Sequence, residues 1–136
     1  MKAVVIIARV LLGAPLIVFG LNGFMHFMEP PADFSPQAGA FLTALQDSQY
    51  LLPLKSGVEV ASGVMILTGL FLPLGLTLFA PILVNIVAFH IYLDDPIKGM
   101  VGYAMLALEL FLVWAYLPSY RGVLSALGRS RFSDRD

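Results

Sequence analysis

Lys55 and Glu59 lie four residues apart inside the run Leu54 to Leu72, which is long and apolar enough to cross a bilayer. A spacing of four puts both side chains on one helical face, a turn apart. A carboxylate in hydrocarbon costs roughly 2.5–3.5 kcal/mol on insertion scales, so other helices must supply partners for Glu59. The rest of the chain reads as the wall built around it.

The other polar residues in apolar runs are few. Asn22 and His26 lie near the end of the first run, Asn85 and His90 in the third, and Glu109 in the fourth. At 1.5 Å per residue, Asn22, Glu59 and Asn85 fall roughly 9–12 Å below one membrane surface, with Glu109 slightly deeper and His26, Lys55 and His90 nearer the mouth. Desolvation favours the neutral form of a carboxyl and a neighbouring ammonium or imidazolium favours the charged form, so such a band suits proton exchange. Imidazole adds a group that titrates near neutral pH. Asparagine can donate to a carbonyl of a quinone-like ligand. The expectation is an outward-opening pocket for a small lipophilic molecule or a proton, with Asn22, His26, Lys55, Glu59, Asn85, His90 and Glu109 as binding residues.

Each of these residues has a plainer use. The asparagines can be interhelical glue, Lys55 can snorkel, and Glu59 can be a structural ion pair. His26 and His90 on separate helices could ligate a haem. However, Asn85 and His90 stand about 140° apart around an ideal helix and do not converge on one centre. No metal site is expected.

The chain has 136 residues, 59% apolar and 12% charged, with a mean hydropathy of +0.86. A soluble domain would carry about a quarter charged residues. The chain reads as an integral membrane protein, with one domain over residues 1–120 and a basic cytoplasmic tail over residues 121–136. It has no cysteine, which excludes disulfides, dithiol relays and thiolate-held clusters or zinc. No basic, aromatic-interleaved patch points to nucleic acid.

Four apolar runs set the architecture: Ala3 to Met28, Leu54 to Leu72, Leu74 to Leu93 and Gly99 to Leu117. Arg9 interrupts the first run, which is too long for a signal peptide. Arg9 is placed to snorkel, and Pro15 and Pro81 to bend their helices. Ser35-Pro36 is a helix-start signal. Ala38, Phe41, Leu42 and Leu45 then form one apolar stripe, predicting a short amphipathic helix on the membrane surface between spans one and two, placed as a lid or as packing for the loops. Leu72-Pro73-Leu74-Gly75 reads as a tight turn, and Asp95-Pro96 as a cap for the start of the next element. The predicted fold is all-α, a polytopic membrane four-helix bundle.

Four spans put both termini on one side. Lys2, Arg9, Arg121, Arg129, Arg131 and Arg135 share that side, against Lys55 and Lys98 on the other, so the termini are predicted to be cytoplasmic. A faint repeat pairs Asn22, His26 and Glu29-Pro30 with Asn85, His90 and Asp95-Pro96.

Phe19-Gly20-x-Asn22-Gly23-Phe24-x-His26-Phe27, Lys55-x-Gly57-x-Glu59-x-x-x-Gly63 and Pro81-x-x-x-Asn85 through His90 resemble the DoxX and DoxX-like membrane proteins over about Val4 to Leu117. The resemblance implies a compact four-helix bundle in the bacterial inner membrane. Some relatives are linked to quinone-dependent oxidation of reduced sulfur, or to membrane oxidoreductase complexes with soluble redox partners. Animal bundles of this kind act as assembly chaperones. The matching positions are Asn22, His26, Lys55, Glu59, Asn85 and His90. The resulting expectation is a membrane subunit of a redox system that binds a small lipophilic ligand, a quinone being the candidate cofactor. A soluble redox partner or a second copy of the chain would accompany it. The alternatives are a non-enzymatic assembly factor or a small-solute transporter.

Overall fold

The computed structural model describes residues 1–124 and is all-α. Five helices run in order: α1 (Lys2–Met25), α2 (Pro36–Asp47), α3 (Leu51–Thr68), α4 (Leu72–Tyr92) and α5 (Met100–Ala115), with short 3-10 turns at Pro96–Gly99 and Leu117–Tyr120. Four stretches are long and apolar enough to span a membrane: α1, α3, α4, and α5 with the 3-10 turn before it. They form a ring in which α1 packs on α3, α3 on α4, α4 on α5, and α5 back on α1. The basic tail lies outside the described residues from position 125 onward.

The tightest seam joins α1 and α3. A Cβ at Gly63 would lie 2.8 Å from the Gly13 carbonyl oxygen, and one at Gly20 would lie 2.9 Å from the Ser56 carbonyl oxygen. Small residues let these two backbones touch, as tight helix pairs in lipid require. This seam fixes the height of α3, and therefore of Lys55 and Glu59, against Asn22 on α1. Below that level, Leu12, Leu16, Ile66, Leu72, Leu76, Phe79 and Leu112 form an apolar core.

The turn between α3 and α4 departs from the sequence expectation. The chain reverses at Gly69-Leu70-Phe71, and Leu72-Pro73 already begins α4. Gly69 takes a left-handed conformation, φ 82°, and closes α3 with its N–H on the Met65 carbonyl. Glycine is the usual residue for that C-cap, and proline suits the first turn of the next helix. Arg9 explains why the cap is fixed here. Its Nε and Nη2 donate to the carbonyls of Ile66 and Leu67, both at 2.9 Å. The free carbonyls and the negative end of the α3 dipole hold the guanidinium, where the sequence suggests snorkelling to headgroups.

The surface helix forms as its stripe predicts. Ser35 Oγ caps α2 by accepting from Ala38 N–H at 3.1 Å. Asp95 caps the 3-10 turn that leads into α5, accepting from Ile97 N–H at 2.9 Å. Phe34 meets the Phe89 ring of α4 edge to face and Phe41 meets it at a tilt, each with centroids 5.8 Å apart, so α2 lies against the α3–α4 end of the bundle.

Candidate functional site

The α2 end of the bundle holds two cavities that share a wall. The first, of about 360 Å³, lies within the ring and is lined by Asn22, Lys55, Glu59, His90, Lys98 and apolar groups including Phe19, Val101 and Met105. The second, of about 500 Å³, is almost wholly apolar and lies between α2, α3 and α4. Phe41, Leu42 and Leu45 of α2 form one side of it, and Asn85 faces it from α4. Lys55, Ile86 and His90 line both cavities.

Glu59 is 8 residues past the start of α3, roughly 12 Å down the helix at the standard rise. It is almost fully buried, and its Oε1 accepts from Lys55 Nζ at 2.8 Å. Oε2 has no partner among the described residues. One oxygen is thus committed to the ion pair while the other is free to accept.

Above the pocket runs a ladder of side chains spaced by four: His90, Asp94 and Lys98. His90 Nδ1 stands 3.7 Å from Asp94 Oδ2, and Lys98 Nζ 3.9 Å from Asp94 Oδ1. Asp94 is buried and accepts from Ser35 N–H at 3.0 Å, while Ser35 Oγ donates to the Leu93 carbonyl. Lys98 also pairs with Asp33 at 3.1 Å and donates to the Asp33 carbonyl. The hydrogen bond and charge of Lys98 hold the Asp33 carboxyl below its ordinary range. These contacts tie the start of α2 to the α4–α5 turn across the cavity mouth. The i, i+4 spacing of His90, Asp94 and Lys98 is visible in the sequence, yet Asp94, Lys98, Asp33 and Ser35 stand outside the set expected at the site.

Of the residues expected to share one pocket, Asn22, Lys55, Glu59 and His90 do so. Asn22 also has a local task, since its Oδ1 accepts from Met28 N–H at 2.6 Å and fixes the chain leaving α1. Asn85 faces the neighbouring apolar cavity. His26 is exposed and lines neither: it is the left-handed C-cap of α1, φ 52°, with its N–H on the Asn22 carbonyl. The repeat seen in the sequence therefore does not carry equivalent geometry, because His26 ends a helix while His90 remains inside one.

Glu109 is placed elsewhere. It is 6 residues from the end of α5, roughly 9 Å by helical rise, and lines a separate crevice of about 340 Å³ between α4 and α5 toward the chain termini. That end of the crevice carries Thr77 and Tyr120, whose hydroxyls donate to the Pro73 carbonyl at 2.8 and 2.7 Å. Burial pushes the Tyr120 phenol above its ordinary value, so it stays a donor.

A family model described as DoxX matches residues 4–91, more than half of the chain, covering all of α2 and α3 and nearly all of α1 and α4. No curated protein and no solved structure matches it.

Proposed function

The chain belongs to the DoxX family of membrane proteins, and from that footing we propose that it binds a quinone-like amphiphile as the membrane subunit of a redox system. The observation that carries this reading is the shared wall of Lys55, Ile86 and His90. It sets a polar cavity of about 360 Å³ beside an apolar one of about 500 Å³. Such a pair fits a ligand with a polar ring and a hydrocarbon tail.

In this reading the ring lies among Asn22, Lys55, Glu59 and His90. The Lys55 ammonium and the Asn22 amide supply donors for ring carbonyls. The tail lies under α2, against Phe41, Leu42, Leu45 and the face of α4 that carries Asn85. Reduction of a quinone to a quinol takes two electrons and two protons. A soluble redox partner supplies the electrons, and the Lys55–Glu59 pair is the proton-exchanging group at the ring. The pocket faces the external surface of the bacterial inner membrane, with residues 1–120 as one domain and the tail in the cytoplasm, as the distribution of Lys and Arg suggests.

The test is native mass spectrometry of the full chain in lipid nanodiscs with added ubiquinone. One retained quinone per chain is expected, lost in Glu59→Gln and kept in His26→Ala, since His26 lies outside both cavities. Equal retention by both variants, or none by the native chain, overturns the proposal.

A further inference from the structure

We propose that Glu109 is the recognition point of a second site, for amphiphiles that carry a protonated amine on an apolar body. The crevice it lines is distinct from the pocket around Glu59 and lies on the other half of the bundle. Its walls are aliphatic, from Leu76, Leu83, Leu106 and Val113 among others. Val84, Leu110 and Leu124 at its rim are exposed on the outside of the ring, so the crevice opens toward hydrocarbon and not into the core.

Glu109 is almost fully buried, and neither carboxyl oxygen has a hydrogen-bond partner among the described residues. The two hydroxyls in the crevice cannot satisfy it. Thr77 and Tyr120 each have a single O–H, and both are already spent on the Pro73 carbonyl. Among the described residues no Lys, Arg or His forms an ion pair with it, in contrast to Glu59 with Lys55. A ligand that brings its own donor fits that lack among the described residues. An ammonium brings three donors and the complementary charge, and hydrogen bonds to charged groups are the strong ones. An anionic lipid headgroup would bring acceptors and the wrong charge. The chain thus offers two pockets of opposite preference, a cation for carbonyl acceptors at one end and an acid for amines at the other.

The experiment uses the full chain in phosphatidylcholine nanodiscs and the hydrophobic reagent dicyclohexylcarbodiimide. A carboxyl group adds across its C=N bond and rearranges to a stable N-acylurea with no leaving group, which peptide mass spectrometry locates. Dodecylamine and its neutral counterpart dodecanol are the competitors; because an amine can also intercept the activated carboxyl as an amide with release of dicyclohexylurea, labelling is counted as all covalent modification of Glu109, N-acylurea and dodecyl adduct together. Labelling is expected at Glu109 and absent in Glu109→Gln. Dodecylamine should halve it at about a tenfold lower concentration than dodecanol, because a hydrogen bond to a charged group is worth a decade or more in affinity. Any labelling of Glu59 should be indifferent to the amine. The proposal is overturned if Glu109 is not labelled in the folded protein, or if amine and alcohol protect equally. The amine–alcohol comparison is made on the native chain, so it decides the matter even if Glu109→Gln does not fold.

Discussion

Replacing Lys55 by methionine isolates the energetic role of the ion pair. Beyond the 2.8 Å contact Glu59 has no other partner among the described residues, and its side chain is only 3% exposed. Removing one member of a buried pair costs about 3–5 kcal/mol, because the remaining charge is stranded. Lys55 is 31% exposed toward the cavity, so the low end applies, about 3 kcal/mol. Insertion scales give the same size for a lone carboxylate in a membrane, about 2.5–3.5 kcal/mol. The double variant Lys55→Met/Glu59→Met should lie within about 1 kcal/mol of the native chain, since apolar replacement of a whole buried pair is often neutral. Reversible unfolding in mixed micelles titrated with dodecyl sulfate, monitored by far-UV circular dichroism, measures the native chain and both variants. The double variant should be nearly as stable as the native chain and yet fail to retain quinone, which separates folding from binding. A Lys55→Met variant within about 0.5 kcal/mol of native, or a double variant as unstable as the single, would refute the reasoning.

Three further outcomes are expected from the same structure. Ser35→Ala removes the α2 cap and the bond to Leu93, which should cost about 1–2 kcal/mol locally and raise hydrogen exchange across Pro36–Asp47 without touching α1 or α3. Gly63→Ala pushes a Cβ to 2.8 Å from the Gly13 carbonyl oxygen and should destabilise by about 1–3 kcal/mol, whereas Gly39→Ala meets nothing within 4 Å and should be neutral or mildly stabilising. The Asp33 carboxyl is held below its ordinary 3.8 by Lys98. A depressed acid contributes stability above its unfolded value and loses it as pH falls through its folded one. Exchange in α2 should therefore rise only below pH about 4, and Asp33→Asn should remove that acid step while already exchanging faster at neutral pH.

The parts of the fold legible in the sequence are those that local chemistry decides. The four spans come from runs of apolar residues near bilayer length. The cap at Ser35-Pro36 and the stripe Ala38, Phe41, Leu42, Leu45 produce α2 where expected. The Gly69 turn is less legible because Pro73 is the louder signal, although a glycine closing a helix three residues before a new one is equally physical. Rotation and height are left open by the sequence. Arg9 finds the end of α3 only because the Gly13–Gly63 seam fixes how the two helices slide. Glu109 is an apolar-run carboxyl like Glu59, but its place on α5 turns it to a different crevice. His26 falls outside the pocket because α1 ends at Met25, three residues earlier than the apolar run suggests. The His90–Asp94–Lys98 ladder crosses a helix end, where i, i+4 spacing is seldom read as continuous.

The most direct measurement is photo-crosslinking with two quinone analogues, one bearing its azide on the ring and one at the end of the tail, on the full chain in nanodiscs. The ring probe should mark residues of the polar cavity, such as Phe19, Val101 or Met105, and the tail probe should mark Phe41, Leu42 or Leu45 on α2. If both probes mark the same outer lipid-facing residues, or the ring probe marks α2 and spares the polar cavity, the ligand does not occupy the joined pair of cavities and the account fails.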